Sequence, residues 1–255
     1  MKNYLLFFFL SHGLINFSLA EIIEKNTLEL KTSNSCELCI LNGVNLGGSD
    51  LNGAYLFGAD LSNADLSSAD LSEANLNEVD LPEASLIGAN LSGATVRRSY
   101  LLNTDLSGAD LSGAKFGESD LNGANLNGAN LKKTDFSGVN LSGANLSSVS
   151  LKSVMLFNII LPGVNLSGSD LSGAKLSGVN LSGANLSGAI LKKTYLKNAN
   201  LSGADLSGAD LKKTYLRGAN LSGANLSGVS LKSTDLKGAT LCNTIMPSGI
   251  DNSGC

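Results

Sequence analysis

Leucine recurs at every fifth position from Leu41 to Leu241, and this spacing constrains the fold more than any other feature. The same phase continues to residue 246, and its only substitutions are the apolar residues Val96, Phe116, Phe136 and Met246. Two residues before each of these positions lies a side chain that is small in most repeats, usually alanine. Residues 204–208 show the unit, which reads A-D-L-S-G.

A period of five fits neither common secondary structure. On an α-helix each repeat advances by about 500°, so the leucines would scatter around the axis. On a flat strand an odd spacing would place alternate leucines on opposite faces. All leucines reach one interior if the chain turns a corner in every repeat. Four corners close a coil of twenty residues, and coils stacked about 4.8 Å apart would form a rod roughly 50 Å long.

The repeats resemble the pentapeptide-repeat family, whose motif is [STAV]-[DN]-[LF]-[STR]-G. The resemblance covers residues 36–246 without a frame slip. It implies an all-β fold, a right-handed quadrilateral parallel β-helix of about ten coils. It implies little about activity, because one fold hosts many functions.

The ends of the chain differ from the repeats. Residues 1–20 are typical of a secretory signal peptide, with Lys2, the apolar run from Tyr4 to Leu10 and a cleavage site after Ala20. A retained amino-terminal anchor is the alternative. Residues 21–35 are expected to cap the first coil as a short helix or irregular strand, and residues 247–255 to cap the other end. Cleavage would leave no membrane span, and the mature protein would be periplasmic or secreted.

Four cysteines lie in two local pairs, Cys36 with Cys39 and Cys242 with Cys255. Because an exported chain meets an oxidising environment, two disulfides are expected. A redox-active CxxC motif is the alternative for the first pair. A shared zinc ion is disfavoured because the pairs would lie at opposite ends of the rod. We therefore expect no metal and no cofactor.

The sequence does not indicate an enzyme. The only histidine is His12, within the predicted signal peptide, so the mature chain lacks a histidine base for a catalytic triad. Acidic residues are abundant, but they recur as a lattice before the leucines, and a straight rod offers no cleft. Charge is segregated instead: residues 41–120 hold twelve acids and three bases, and residues 121–240 hold five acids and twelve bases.

The bases keep the twenty-residue register, so they should stack in adjacent coils. One column holds Lys132, Lys152, Lys192, Lys212 and Lys232, and its neighbour holds Lys133, Lys193 and Lys213. Like charges stacked in a sheet repel, and an anionic partner would relieve that repulsion. This strip predicts binding of an anionic glycan, a lipid headgroup surface or an acidic protein. The alternative is that duplication of a twenty-residue unit produced lysines that serve only solubility.

Met155, Phe157 and Ile160 occupy outward positions that polar residues fill elsewhere. Grouped apolar residues on a polar surface indicate a contact site. The alternative is a bulged coil around Pro162 that covers them.

Three functions remain open from the sequence. The first is an exported, non-enzymatic rod that acts as a binding or structural module for a protein or an anionic polymer or surface. The second is a DNA mimic that inhibits a topoisomerase such as gyrase, as some members of the family it resembles do. The export signal and the basic half argue against it, and we do not expect nucleic acid as a partner. The third is a secreted effector that binds a host protein.

Overall fold

The structure is a computed structural model that describes residues 17–255. The most amino-terminal part of the predicted signal peptide, including Lys2, the run from Tyr4 to Leu10 and His12, lies outside the described residues. One helix, α1 (Leu19–Ser33), precedes the repeats, and two short strands, β1 (Thr244–Met246) and β2 (Gly249–Asp251), follow them. No helix among residues 17–255 combines the length and the apolarity needed to cross a membrane.

Between these elements the chain winds as a parallel β-helix. Parallel bridges join residues twenty apart, from Ser35 with Tyr55 to Asn225 with Ile245. Each bridge is flanked by backbone hydrogen bonds, such as the Leu186 N–H to the Asp205 carbonyl at 2.6 Å. Because one bridging residue occurs per repeat, four repeats make one coil, as the leucine spacing predicts.

A tight turn follows every leucine and forms the corner of the coil. In residues 201–204 the Ala204 N–H donates to the Leu201 carbonyl at 3.0 Å. The third residue of this turn, Gly203, has a φ of 66°. That left-handed conformation is required at the third position of a type II turn and favours glycine.

The corners divide each coil into four walls, which we number by their central leucines. Walls 1, 2, 3 and 4 are centred on Leu181, Leu186, Leu191 and Leu196 and on the residues multiples of twenty away. In each wall the bridging residue just before the leucine points outward. The two residues that follow the leucine form the corner to the next wall. Thus residues 192 and 193 lie at the corner between walls 3 and 4.

Leucine and alanine side chains make up most of the buried core. Phe116 and Phe136 pack against each other inside wall 4, with ring centroids 5.4 Å apart and ring planes inclined at 51°. Thr194 and Thr214 replace alanine and are buried, and their hydroxyls donate to the Leu171 and Leu191 carbonyls at 2.8 and 2.7 Å. No buried side-chain nitrogen or oxygen among the described residues lacks a hydrogen-bond partner. The polar side chains inside the tube are therefore accommodated by hydrogen bonds to the backbone of neighbouring coils.

The aspartate and asparagine residues before the leucines stabilise the turns from outside. The Asp205 carboxylate accepts the Ser207 N–H at 2.9 Å and the Asn225 side-chain amide at 3.1 Å. The first bond closes a local turn of the kind that aspartate and asparagine favour. These acids are thus held on the outer surface as structural groups.

Both ends of the rod carry additional structure. Ser18 caps α1 by accepting the Glu21 N–H, and the Glu21 carboxylate accepts the Ser18 N–H at 2.7 Å, which completes a capping box. Leu30 of α1 is buried in the core of the coils. The cleavage site predicted after Ala20 lies in the first turn of this helix, and cleavage itself stays a prediction.

At the carboxyl end, β1 and β2 pair antiparallel, with Ile245 opposite Ile250. Ile245 also bridges to Asn225 in the coil below, and the Leu241 N–H donates to the Ser253 carbonyl at 3.0 Å. The tail therefore adds a further layer over walls 1 and 2. The Leu231 and Leu236 side chains, in walls 3 and 4 of the last coil, are only partly buried.

A candidate binding wall

All twelve bases of residues 121–240 lie on wall 4 or at one of its two corners. The segments that form this surface are 131–138, 151–158, 171–178, 191–198, 211–218 and 231–238, and we call them together the basic wall. Aspartates 135 and 235 are its only acids, so it carries a net charge of +10. The outward residues of walls 1 and 2 in the coils that contain residues 180–228 are almost all asparagine, serine and glycine. Positive charge is thus confined to one side of the rod.

The predicted lysine columns lie at the corner between walls 3 and 4, and their side chains are exposed. Two of these lysines are ion-paired: Lys152 with Asp170 at 2.7 Å and Lys192 with Asp210 at 3.1 Å. Each aspartate lies eighteen residues further on, in the next coil. At the corresponding positions for Lys132 and Lys212 the chain has Ser150 and Ser230.

Within residues 17–255 the structure shows no ion pair for Lys132, Lys212 or Lys232. The repulsion expected along the column is therefore relieved at Lys152 and Lys192 and remains at the other three lysines. The free charge available to an anionic partner is smaller than the sequence alone indicates, but it is not cancelled.

The two paired aspartates have lowered pKa values. At Asp170, partial burial would raise the pKa, but hydrogen bonds and charge attraction from Lys152, with bonds from Ser172, outweigh it. At Asp210 the largest cause is the hydrogen bond from the Lys212 backbone, followed by opposing desolvation and then the Lys192 ammonium. Both carboxylates therefore stay ionised, and their lysine partners keep a negative neighbour.

The second lysine column occupies strained backbone. Lys133, Lys193 and Lys213 have φ values of 62°, 57° and 60°, at the turn position where most repeats have glycine. A side chain in this left-handed region costs of order 1 kcal/mol relative to glycine. These lysines are present despite a conformational cost.

A second basic corner was not predicted. Lys197, Arg217 and Lys237 stack twenty residues apart at the corner between walls 4 and 1. The twenty-residue register, applied to every base, would have found them, because this column holds three bases, as many as the column of Lys133. Between the two corners the outward column holds Lys175 and two stacked tyrosines, Tyr195 and Tyr215, with ring centroids 4.9 Å apart and an interplanar angle of 11°.

The predicted apolar residues divide between two walls. Met155 and Phe157 lie on the basic wall, and Ile160 lies just beyond its corner, on wall 1. Met155 is 45% exposed, Phe157 65% and Ile160 47%. The alternative prediction, a bulged coil around Pro162, does not match the structure, because residues 151–165 keep the regular pattern of turns and bridging positions. Pro162 occupies the second position of its turn, which proline favours.

The β-ladder is interrupted beside this apolar group. Within the described chain no bridge joins Met155 to Lys175 or Ile160 to Asn180, whereas Met155 and Ile160 still bridge to the preceding coil. Val154 and Ile159, which are larger than the usual alanine, point inward in the same coil. Added methyl groups in a filled interior strain the packing, and the interruption coincides with them.

Both cysteine pairs form disulfides, Cys36 with Cys39 and Cys242 with Cys255. The Glu29 carboxylate and the two sulfurs of the first pair lie within 4.8 Å of one another. Because the sulfurs are bonded to each other, they are not thiolate ligands for a metal. This cluster belongs to the covalent closure of the first coil.

The chain is similar to a known protein family and to several solved structures. The family model for pentapeptide repeats matches residues 39–246 in eight copies. The chain is 36% identical to HetL, a pentapeptide repeat protein involved in heterocyst differentiation regulation in the cyanobacterium Nostoc sp. strain PCC 7120, over 88% of this chain and 96% of HetL, with a TM-score of 0.48. It is 19% identical to QnrB1, a plasmid-mediated fluoroquinolone resistance protein, over 79% of this chain and 91% of QnrB1, with a TM-score of 0.39.

A third similar structure is a pentapeptide repeat protein from the Arabidopsis thaliana thylakoid lumen, which is 29% identical over 45% of this chain and 66% of its own length, with a TM-score of 0.31. A comparison with the sequences of curated proteins finds no match. The family model covers well over half of the chain. The chain therefore belongs to the pentapeptide-repeat family.

Proposed function

We propose that this protein is an exported, non-enzymatic rod that binds an anionic partner through the basic wall. The observation that carries the proposal is the confinement of twelve bases and only two acids to one wall and its corners. A surface of one sign attracts and orients partners of the other sign. Duplication of a twenty-residue unit accounts for the recurrence of bases at both corners, since residues 191–197 read LKKTYLK and residues 211–217 read LKKTYLR. The charge-reversal experiment below decides whether the duplicated bases also bind.

Several features support a binding role outside the cytoplasm. The predicted signal peptide directs the chain to the periplasm or the exterior, where disulfides persist. Disulfides join the chain near both ends of the coils. The acids of the repeats accept hydrogen bonds from their own turns, as Asp205 does from Ser207, so they act in the fold rather than as a catalytic pair.

The proposal is tested with a soluble polyanion such as heparin. Reversing two charges in K192E/K212E should weaken binding at least tenfold and reduce its dependence on salt, because charge attraction supplies the affinity. A matched control makes the same change in net charge on walls 1 and 2 of the same coils by replacing four corner serines with glutamate: Ser182, Ser187, Ser202 and Ser207. Equal loss in both variants, or no binding by the unmodified protein to any anionic probe, would refute the proposal.

The second candidate is the topoisomerase-inhibiting DNA mimic. It is favoured by the twelve acids of residues 41–120, whose aspartates recur on several walls as a row of phosphates would. A gyrase supercoiling assay tests this candidate. If the protein inhibits gyrase, and if this inhibition is lost when acids of residues 41–120 are neutralised but kept in K192E/K212E, the DNA-mimic function would replace the first proposal.

A further inference from the structure

We propose that the anionic partner is a lipid bilayer, and that the rod lies on its surface along the basic wall. This inference rests on the proposed function and names the partner of the same wall. It is carried by the placement of two features that the sequence presents as unrelated. The lysine columns and the exposed pair Met155 and Phe157 share one wall.

The basic wall has the layout of a surface that meets lipid headgroups. Cations line both of its corners, with Lys192 and Lys212 on one side and Lys197 and Arg217 on the other. From Lys132 to Lys232 the column extends over five coil steps, which is about 24 Å at the spacing of β-strands. Clustered lysines and arginines bind anionic headgroups, and each contributes separately near the surface.

The other exposed residues of the basic wall, with Phe157 at the corner between walls 4 and 1, are those that the interface of a bilayer accepts. Tyr195 and Tyr215 are 44% and 42% exposed, and tyrosine combines an apolar ring with a polar hydroxyl suited to headgroup depth. Phe157 is 65% exposed and has no polar group. A soluble polyanion would gain little from Phe157 and Met155, whereas a bilayer offers them an apolar phase beneath the charged layer.

The opposite side of the rod fits the same orientation. In the coils that contain the tyrosines, wall 2 shows Asn185, Ser187, Asp205 and Ser207 to solvent. This side has neither a base nor an exposed apolar side chain in those coils. A rod bound through the basic wall would therefore turn a polar wall to water.

The experiment uses tryptophan fluorescence with vesicles of phosphatidylcholine containing about 30% phosphatidylglycerol, and with pure phosphatidylcholine vesicles. The chain has no tryptophan, so F157W introduces a single reporter on the basic wall. The control is I87W, a half-exposed site on a corner between walls 2 and 3. All variants keep the full chain, so any membrane affinity of the first residues is common to them.

We expect a blue shift and quenching by brominated lipid for F157W with anionic vesicles, a much smaller response with pure phosphatidylcholine, and none for I87W. The double variant M155S/F157S should bind anionic vesicles about tenfold more weakly, because apolar burial is lost. Its affinity for heparin should stay unchanged. K192E/K212E should lose affinity for both.

The outcomes separate this inference from the function on which it rests. If lysine reversal abolishes heparin binding but F157W shows no shift with anionic vesicles, the partner is a soluble polyanion and the bilayer inference is wrong. Equal responses of F157W and I87W would also overturn it, because insertion would not involve this wall. If no anionic probe binds, both proposals fail.

Discussion

Replacing the two left-handed lysines Lys193 and Lys213 with glycine should make the protein more stable. Their φ values are 57° and 60°, where a side chain costs energy that glycine avoids. The same position in the preceding coil is Gly173, with a φ of 74°, so the turn accepts glycine without change. The ladder bond from the Lys193 N–H to the Lys212 carbonyl, at 3.1 Å, uses only backbone atoms and would persist.

The expected gain follows from two opposing quantities. Relief of left-handed strain contributes about 1–2 kcal/mol per site. The extra freedom of glycine in the unfolded chain offsets roughly 0.5–1 kcal/mol of this. The net gain for K193G/K213G is about 1–2 kcal/mol in the free energy of unfolding. For a chain of this size, that raises the Tm by roughly 4 °C.

A matched control removes the same charge one residue earlier in the turn. Lys212 and Lys232 do not have positive φ values, so K212G/K232G gains no relief of strain. The free energy of unfolding of this control should fall by about 1–2 kcal/mol, since glycine at these two positions only adds conformational freedom to the unfolded chain. Neither lysine forms an ion pair within residues 17–255, and the attraction between the Lys212 charge and Asp210, which helps to lower the pKa of Asp210, adds a further loss to this control.

Urea unfolding followed by far-ultraviolet circular dichroism measures both variants under the same low-salt conditions. We expect opposite signs for the two double variants. Changes of the same sign and size would mean that charge repulsion dominates, and the argument from backbone strain would be refuted. Both variants lose two bases of the basic wall, so both should bind anionic vesicles more weakly. Stability and binding would then change independently.

Three further predictions concern the coils and their ends. The pKa of Asp70 is lowered mainly by hydrogen bonds from Ser72. The stability that its carboxylate contributes is therefore complete above the ordinary pKa of 3.8 and is lost as the pH falls through the lower folded value. The variant D70N keeps the hydrogen-bond acceptor without a charge, so its urea midpoint should fall less than that of the unmodified protein between about pH 5 and pH 2. Replacing Cys242 and Cys255 with serine should lower the free energy of unfolding by about 3 kcal/mol, because the disulfide no longer constrains the unfolded chain. The loss should appear as faster hydrogen exchange confined to the last coils, and unchanged exchange there would contradict a role of the disulfide in closing this end. F136A should lower the free energy of unfolding by about 3–5 kcal/mol, and F136L should lower it much less, because leucine fills this position in most coils. Equal losses of the two variants in urea unfolding would contradict the packing argument.

Much of the candidate site was accessible from the sequence because residues twenty apart must stack. The columns of Lys192 and Lys193 follow from that rule alone. The bases Lys197 and Arg217 obey the same rule and form, with Lys237, a column as long as that of Lys193, so the register alone could have found them. Their importance depends on which columns border one wall, and that is a property of the closed coil.

The ion pairs of Lys152 with Asp170 and Lys192 with Asp210 could not be predicted from register. They join residues eighteen apart, so the lysine reaches diagonally across the gap between two coils. Whether that reach succeeds depends on side-chain direction at the corner. The exposure of Phe157 was likewise undecided by the sequence, because a proline nearby fits a regular turn and a bulge equally well.

The amino-acid sequence by itself determined the coil, its period and its apolar filling, because each repeat contacts only its neighbours and one short pattern specifies every contact. Only the tertiary structure decided which outward residues share a wall. Four corners bring together side chains that are three to five residues apart in one coil and twenty or forty apart along the chain. The joint placement of cations, tyrosines and Phe157 on one surface arises from that closure.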